Sequence, residues 1–254
     1  PKSAPKEAAP KSYAPSPMAG PVSDSGGTKF TAAAPATGAA PATAAAPRPA
    51  PVVMSTQFIR SRIGKICVAI TGETPAKMLE NAEQVVRENH FVEFRLDYLP
   101  SPLAILPKVK TFLYERGEVT AIATCRRAAT GGKFKGTINA ELEILEKAAQ
   151  AGCHLIDVEL QTAEHMKPAQ MKKLRSYGAA LIVSYHDFEA TRDLDKIFDR
   201  ILPFQPEFVK IVSTAKTLSD NVTMMRFLDR RRDEANLIGI VMGDQGTISR
   251  VLGL

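Results

Sequence analysis

The sequence predicts an α/β fold of repeated βα units with parallel strands. Three observations carry this expectation. Seven short apolar runs of strand type recur along the chain, about 25–35 residues apart. Segments of helical period separate them, so successive strands are joined by right-handed crossovers. Charged and polar residues gather where the runs end, and the C-terminal ends of parallel strands are where such folds do their chemistry.

The regular pattern does not begin at once. Residues 1–53 are dominated by Ala and Pro, lack Leu and Ile, and hold one Met and one Tyr. Such a stretch buries too little apolar surface to offset the entropy of ordering it. Residues 1–55 are therefore expected to be a disordered Ala/Pro-rich linker or extension, and 56–254 the folded domain. The leading stretch also lacks the apolar centre of a secretory signal.

The first run, 66–71, is followed by Thr74-Pro75, an N-cap with proline at the first helical position, and a helix over 75–89. No GxGxxG occupies this first βα turn, which counts against a dinucleotide-binding sheet. The second run, 91–96, contains Glu93-Phe94-Arg95-Leu96-Asp97. Strand alternation puts Glu93, Arg95 and Asp97 on one face. A helix over 102–116 follows, with Gly117 as its stop. The third run, 119–124, ends in Thr124-Cys125-Arg126-Arg127 and a glycine-containing loop over 128–136. Helix 137–151 stops at Gly152. The fourth run, 154–159, carries Asp157 and Glu159, and helix 165–177 stops at Gly178. The fifth run, 179–184, leads into Tyr185-His186-Asp187. After helix 191–202 comes the sixth run, 208–212, which holds Lys210. Helix 217–234 and the seventh run, 237–242, follow, and a last helix begins within 245–252. Seven runs leave two architectures, an open doubly wound sheet and a (β/α)8 barrel. A barrel needs eight units, so its eighth strand would be absent from this sequence.

Charge excludes little. The net charge is +6, and five basic against two acidic residues in 1–53 supply half of it. The remainder is ordinary for about 200 residues and gives only weak support for nucleic-acid or membrane binding. Arg230-Arg231-Arg232, flanked by acidic residues, reads as a solvated helix face. Three cysteines suggest a reducing, cytoplasmic setting without a disulfide framework. Neither metal-ligand spacing nor a membrane-length apolar stretch occurs, so no metal, cofactor or membrane partner is expected.

Lys210 is the most informative residue. It sits within Phe208-Val209-Lys210-Ile211-Val212, a run built for burial. A desolvated lysine lowers its pKa, and a neutral amine attacks ketones. Arginines nearby would help keep it neutral. The alternative is a lysine that snorkels to water or pairs with a carboxylate. Taken singly, Glu93/Arg95 could be a structural ion pair, Asp157 and Glu159 core carboxylates, and His186 a satisfied strand-end histidine. Together, Glu93, Arg95, Arg126, Asp157, Glu159, His186, Lys210 and Arg250 fill one end of a parallel fold with charge. That is costly unless a polar ligand binds there.

The motifs Glu93-Phe94-Arg95-Leu96-Asp97, Thr124-Cys125-Arg126, Asp157-Val158-Glu159-Leu160, Ser184-Tyr185-His186-Asp187-Phe188, Val209-Lys210-Ile211 and Ile248-Ser249-Arg250 resemble those of the type I 3-dehydroquinate dehydratases. The resemblance spans 66–254. It implies a (β/α)8 barrel, a homodimer when complete, and reversible syn-dehydration of 3-dehydroquinate to 3-dehydroshikimate through a lysine Schiff base, the third step of the shikimate pathway to chorismate and aromatic amino acids. It implies Lys210 as the imine-forming amine and His186 as general acid/base. Glu93, Arg95 and Arg126 would hold ring hydroxyls, and Arg250 the carboxylate. Asp157 and Glu159 would support Lys210 or His186. In some arrangements of the family a shikimate dehydrogenase domain follows. Two departures stand out. Thr130 replaces the acidic residue that many members carry before the loop Gly-Gly, and the eighth strand is missing, so this chain alone is expected to be poorly stable or inactive. The competing readings are an aldolase or transaldolase of the Schiff-base class and a non-catalytic barrel domain of a multidomain protein.

Overall fold

The computed structural model describes residue 59 and residues 61–64 and 66–252; the predicted linker over 1–55 lies outside the described residues. Seven strands form one parallel sheet in chain order: β1 Val68–Ile70, β2 Phe91–Arg95, β3 Thr120–Thr124, β4 Leu155–Glu159, β5 Ala180–His186, β6 Phe208–Thr214 and β7 Leu237–Met242. Between them run α1 Pro75–Val85, α2 Leu106–Glu115, α3 Ile138–Gln150, α4 Leu160–Ala163, α5 Pro168–Ser176, α6 Leu194–Ile201 and α7 Ser219–Arg231, with α8 Ser249–Leu252 after β7. This is the curled parallel sheet of a barrel-type α/β fold. Neighbouring strands are consecutive throughout, so the open sheet with a reversed strand order, which the repeat alone allowed, does not occur. Among the described residues β1 and β7 are the two ends of the hydrogen-bonded order.

The punctuation reads as expected at most helix ends. Thr74 caps α1 by accepting from the Lys77 amide at 3.2 Å, and Thr137 caps α3 by accepting from the Ala140 amide at 3.3 Å. Gly152 follows α3 with φ of +95°, a conformation that disfavours any residue with a Cβ. Gly117 differs, because α2 ends on Arg116 in an ordinary conformation (φ −124°, ψ 68°). Helix α4 was not expected; it is one turn that leaves β4 directly after Glu159.

Two apolar layers position the charged end. Outside the sheet, helices pack on the outward-facing strand residues such as Phe94, Val158 and Val183. Phe94 meets Phe112 edge to face at 5.9 Å, and Phe198 meets Phe227 at 5.9 Å. Inside the curl, Phe91, Ile122, Leu155, Ala180, Ile182 and Phe208 share one cluster with Ile59. Side chains from five different strands meet there because the sheet curves around them. Ile59, 1% exposed, closes the floor of this inner space. The residues one step further along each strand form the next layer upward, and there the side chains are polar.

Candidate active site

Strand register builds the site. In β4, Asp157 and Glu159 are two residues apart and so share the inner face. In β5, Ser184 and His186 do the same. Ser184 stands opposite Glu159 on one side and Lys210 on the other. Thr124 stands opposite both Arg95 and Asp157. The alternation that hides apolar residues outside therefore delivers Glu93, Thr124, Asp157, Ser184 and Lys210 to one level, with Arg126, Glu159 and His186 above them.

Lys210 is the centre of this layer. Its Nζ donates to Asp157 Oδ2 at 2.8 Å and lies 3.8 Å from Glu93 Oε1. Thr124 Oγ1 donates to that same Glu93 oxygen. Arg126 Nη2 reaches Asp157 Oδ2 at 3.4 Å. Its Nε lies 3.3 Å from Glu159 Oε2 but is not aligned as a hydrogen bond. Glu159 accepts from the His186 amide at 3.2 Å and pairs with His186 Nδ1 at 3.0 Å. The histidine side chain is 5% exposed and the Asp157 side chain 1%. Each titratable partner thus has its own carboxylate, and both carboxylates come from β4.

The electrostatics correct one expectation. Burial works against the Lys210 ammonium more than any other influence, as the sequence suggested. Asp157 and Glu93 together outweigh burial and Arg126, and the lysine is held above the usual lysine range. The unliganded lysine is an ammonium in a carboxylate pair, not the neutral amine expected from an apolar run. Asp157 is correspondingly held well below the usual carboxylate range; burial opposes this, and Lys210 and Arg126 prevail. His186 moves the other way. Burial lowers it, and Arg126 and Lys210 add to that against the pull of Glu159, so the ring is neutral near pH 7.

Arg95 and Asp97 also differ from expectation. Strand β2 stops at Arg95, and Asp97 lies in a 3-10 turn over Leu96–Tyr98, so it leaves the shared face. Its fully buried carboxylate takes Arg95 Nε and Nη2 at 2.9 Å each and the Lys133 amide at 3.1 Å. Arg95 therefore pairs with Asp97, not with Glu93. The same contact ties the loop after β3 to the end of β2. Gly131 of that loop has φ of +81°, and a Cβ there would stand 2.1 Å from the Phe188 ring. Phe188 in turn stacks on His186 with ring centroids 6.1 Å apart. Thr130 lies in this loop and donates to the Arg127 carbonyl at 3.2 Å, so it supplies no charge to the site. Asp187 closes its own turn, accepting from the Glu189 and Ala190 amides and from Arg192 Nε.

Arg250 is not brought to the cluster. It is exposed on the short α8, and among the described residues its side chain has no hydrogen-bond partner. Its neighbour Ser249 is buried and fastens α8 to β7 through the Val241 amide at 2.9 Å. Sequence reasoning gave no role to Ser184 or Thr124, both of which touch site carboxylates. Their signal was present: each lies two residues before a singled-out residue on the same strand face. Among the described residues no group of three or more His, Cys, Asp or Glu side chains is arranged to hold a metal ion.

A buried lysine and a buried histidine side chain thus sit on adjacent parallel strands, each with a β4 carboxylate. The model of type I 3-dehydroquinases matches residues 66–254. The chain belongs to the type I 3-dehydroquinase family. A 3-dehydroquinate dehydratase of Coxiella burnetii is 31% identical over 191 residues, covering 74% of this chain and 78% of the relative. Among solved structures, the 3-dehydroquinate dehydratase from Geobacillus kaustophilus shares the fold with a TM-score of 0.67 at 24% identity, over 74% of this chain and 77% of that one. A dehydroquinate dehydratase and shikimate dehydrogenase from S. pombe shares it with a TM-score of 0.63 at 21% identity, over 76% of this chain and 40% of that one. Among the described residues no helix is long and apolar enough to cross a membrane.

Proposed function

We propose that this chain catalyses the reversible dehydration of 3-dehydroquinate to 3-dehydroshikimate through an imine on Lys210, the third step toward chorismate and aromatic amino acids. The observation that carries this reading is the division of the β4 carboxylates. Asp157 bonds Lys210 and Glu159 bonds His186, with both pairs buried on the same inner face.

The chemistry follows from those pairs. An ammonium cannot attack a ketone, so Lys210 must first lose a proton, and Asp157 Oδ2 at 2.8 Å is its nearest acceptor. The free amine adds to the substrate carbonyl, water leaves, and the resulting iminium draws electrons from the adjacent carbon. Glu159 accepts from His186 Nδ1–H, an assignment made from the hydrogen-bond network, which leaves Nε2 as the base. His186 removes the α-proton and returns it to the departing hydroxyl, so both groups lie on one face and the elimination is syn. Hydrolysis of the product imine restores Lys210. Glu93, Arg95 and Arg126 would orient ring hydroxyls. Arg250 would pair with the carboxylate. No metal or cofactor enters this scheme.

A homodimer and a shikimate dehydrogenase joined to this domain belong to the same reading. The product would then pass to the next active site without a separate encounter. The deciding experiment treats the chain with 3-dehydroquinate and borohydride and locates the reduced adduct by mass spectrometry. A single adduct on Lys210, abolished by Lys210→Met, is expected. An adduct only with aldol substrates would favour the aldolase reading, and none with either would favour a non-catalytic domain.

A further inference from the structure

We propose that Ser184 is a positioning residue for the lysine–histidine pair: its hydroxyl, set between Asp157 and Glu159, keeps each carboxylate on its own partner. The inference rests on the imine reading of Lys210. Ser184 is fully buried, and its Oγ lies 2.5 Å from Asp157 Oδ1 and 3.2 Å from Glu159 Oε2. Among the described residues the other side chain that reaches both carboxylates is Arg126, and that guanidinium does so from 3.4 and 3.3 Å.

A hydroxyl has one proton, and ionised carboxylates only accept. The shorter contact takes that proton, so Ser184 donates to Asp157 and turns a lone pair toward Glu159. Two consequences follow. Asp157 Oδ1 is satisfied, which leaves Oδ2 aimed at Lys210. Glu159 gains nothing from Ser184 and is left to His186 Nδ1. Without the hydroxyl, Asp157 Oδ1 would be buried and unpaired, and both carboxylates would be free to rotate toward Arg126. The backbone reinforces the placement, because Ser184 stands opposite Glu159 in β4 and opposite Lys210 in β6.

The charged groups that face this hydroxyl come from every strand packed around it. They are Asp157 and Glu159 on β4, His186 two residues onward on β5, Lys210 on β6 and Arg126 after β3. Glu93 on β2 acts through Lys210, and β7 contributes the apolar Ile238 opposite Lys210. A donor aimed into this cluster stabilises its negative charge. Removing it makes the local potential more negative, so Lys210 and His186 hold their protons to higher pH.

The test compares the wild-type chain with Ser184→Ala, Ser184→Cys and Ser184→Thr. In Ser184→Ala the His186 ring, followed by NMR, is expected to titrate roughly half to one pH unit higher. The acid limb of the kcat profile should move by the same amount, and kcat should fall about tenfold with KM nearly unchanged. Ser184→Thr keeps the hydroxyl and should restore the profile. Ser184→Cys, similar in size with a weaker donor, should lie between and serves if the alanine variant does not fold. A lower melting temperature with the His186 titration and the pH limb unmoved in Ala and Cys would overturn the proposal and leave Ser184 a packing residue. The two readings fail separately. No borohydride adduct on wild-type Lys210 refutes the imine, whereas an adduct with unshifted variants refutes only the role of Ser184.

Discussion

Lys210 Nζ lies 2.8 Å from Asp157 Oδ2 across β4 and β6, two strands that are not neighbours in the sheet. Only a curled sheet brings them together, with β5 and its Ser184 between them. This ion pair keeps Lys210 an ammonium, and the proposed imine chemistry requires that proton to leave first.

Asp157→Asn is expected to lower the pH at which Lys210 becomes reactive. The wild-type lysine is raised by Asp157 and Glu93 against burial; removing the first leaves burial and Arg126 to depress it. Reductive trapping of a small ketone, followed against pH, should show its onset at least about one unit lower in the variant. An unchanged onset would mean that Asp157 does not govern the amine.

His186→Asn should separate imine formation from elimination. Loss of a general acid/base typically costs about 10²–10⁴-fold in kcat, while the borohydride adduct on Lys210 should still form. The sign of the pH dependence follows from the depressed His186. The base form is present at neutral pH, so activity should hold down to below about 6.5 and fall only at more acidic pH. A His186 ring signal that titrates above that value by NMR would contradict the buried, neutral ring.

Gly131→Ala should disturb the loop over His186. The position combines φ of +81° with a Phe188 ring 2.1 Å from the new Cβ. A cost of about 1–3 kcal/mol is expected from the backbone and the clash, visible in denaturant melts, together with a fall in kcat/KM. Phe188→Ala in the same chain should recover part of the stability. Additive losses in the double variant would show that the two positions are not coupled.

His154 should make the fold acid-sensitive apart from the active site. Burial, helped by Arg62, pushes it down to about 4, and its Nδ1 accepts from the Ala121 amide at 3.2 Å. A base depressed in the folded state contributes stability that is present above its ordinary value near 6.5 and lost as pH falls toward 4. The loss has a ceiling of about 3 kcal/mol. His154→Asn, which can still accept that amide, should flatten the dependence of unfolding free energy between those limits. An equally steep curve would place the acid sensitivity elsewhere.

Arg250→Ala should affect substrate and not fold. The residue is exposed on α8, so the melting curve should move by less than about 0.5 kcal/mol. A rise in KM of about tenfold or more is expected if it binds the carboxylate. An unchanged KM would remove Arg250 from the site.

Much of this was legible in one dimension. The spacing of apolar runs specifies seven parallel strands, because strand and helix periods differ and only β-branched and aromatic runs of that length suit a sheet buried on both faces. Period-two alternation also places Asp157 with Glu159 and Glu93 with Arg95 without any coordinates. The same rule was over-extended to Asp97, because nothing local says that β2 stops one residue earlier in a 3-10 turn.

What the chain alone could not decide is the charge on Lys210. Its sequence neighbours are all apolar, and they argue for a neutral amine. Its real neighbours are Asp157 and Glu93, about fifty and more than a hundred residues away in the chain. Proton affinity depends on the field at the nitrogen, and that field is set by distances across the curled sheet. The sequence by itself determined which residues reach the inner face; only the tertiary structure decided which of them hold one another's protons.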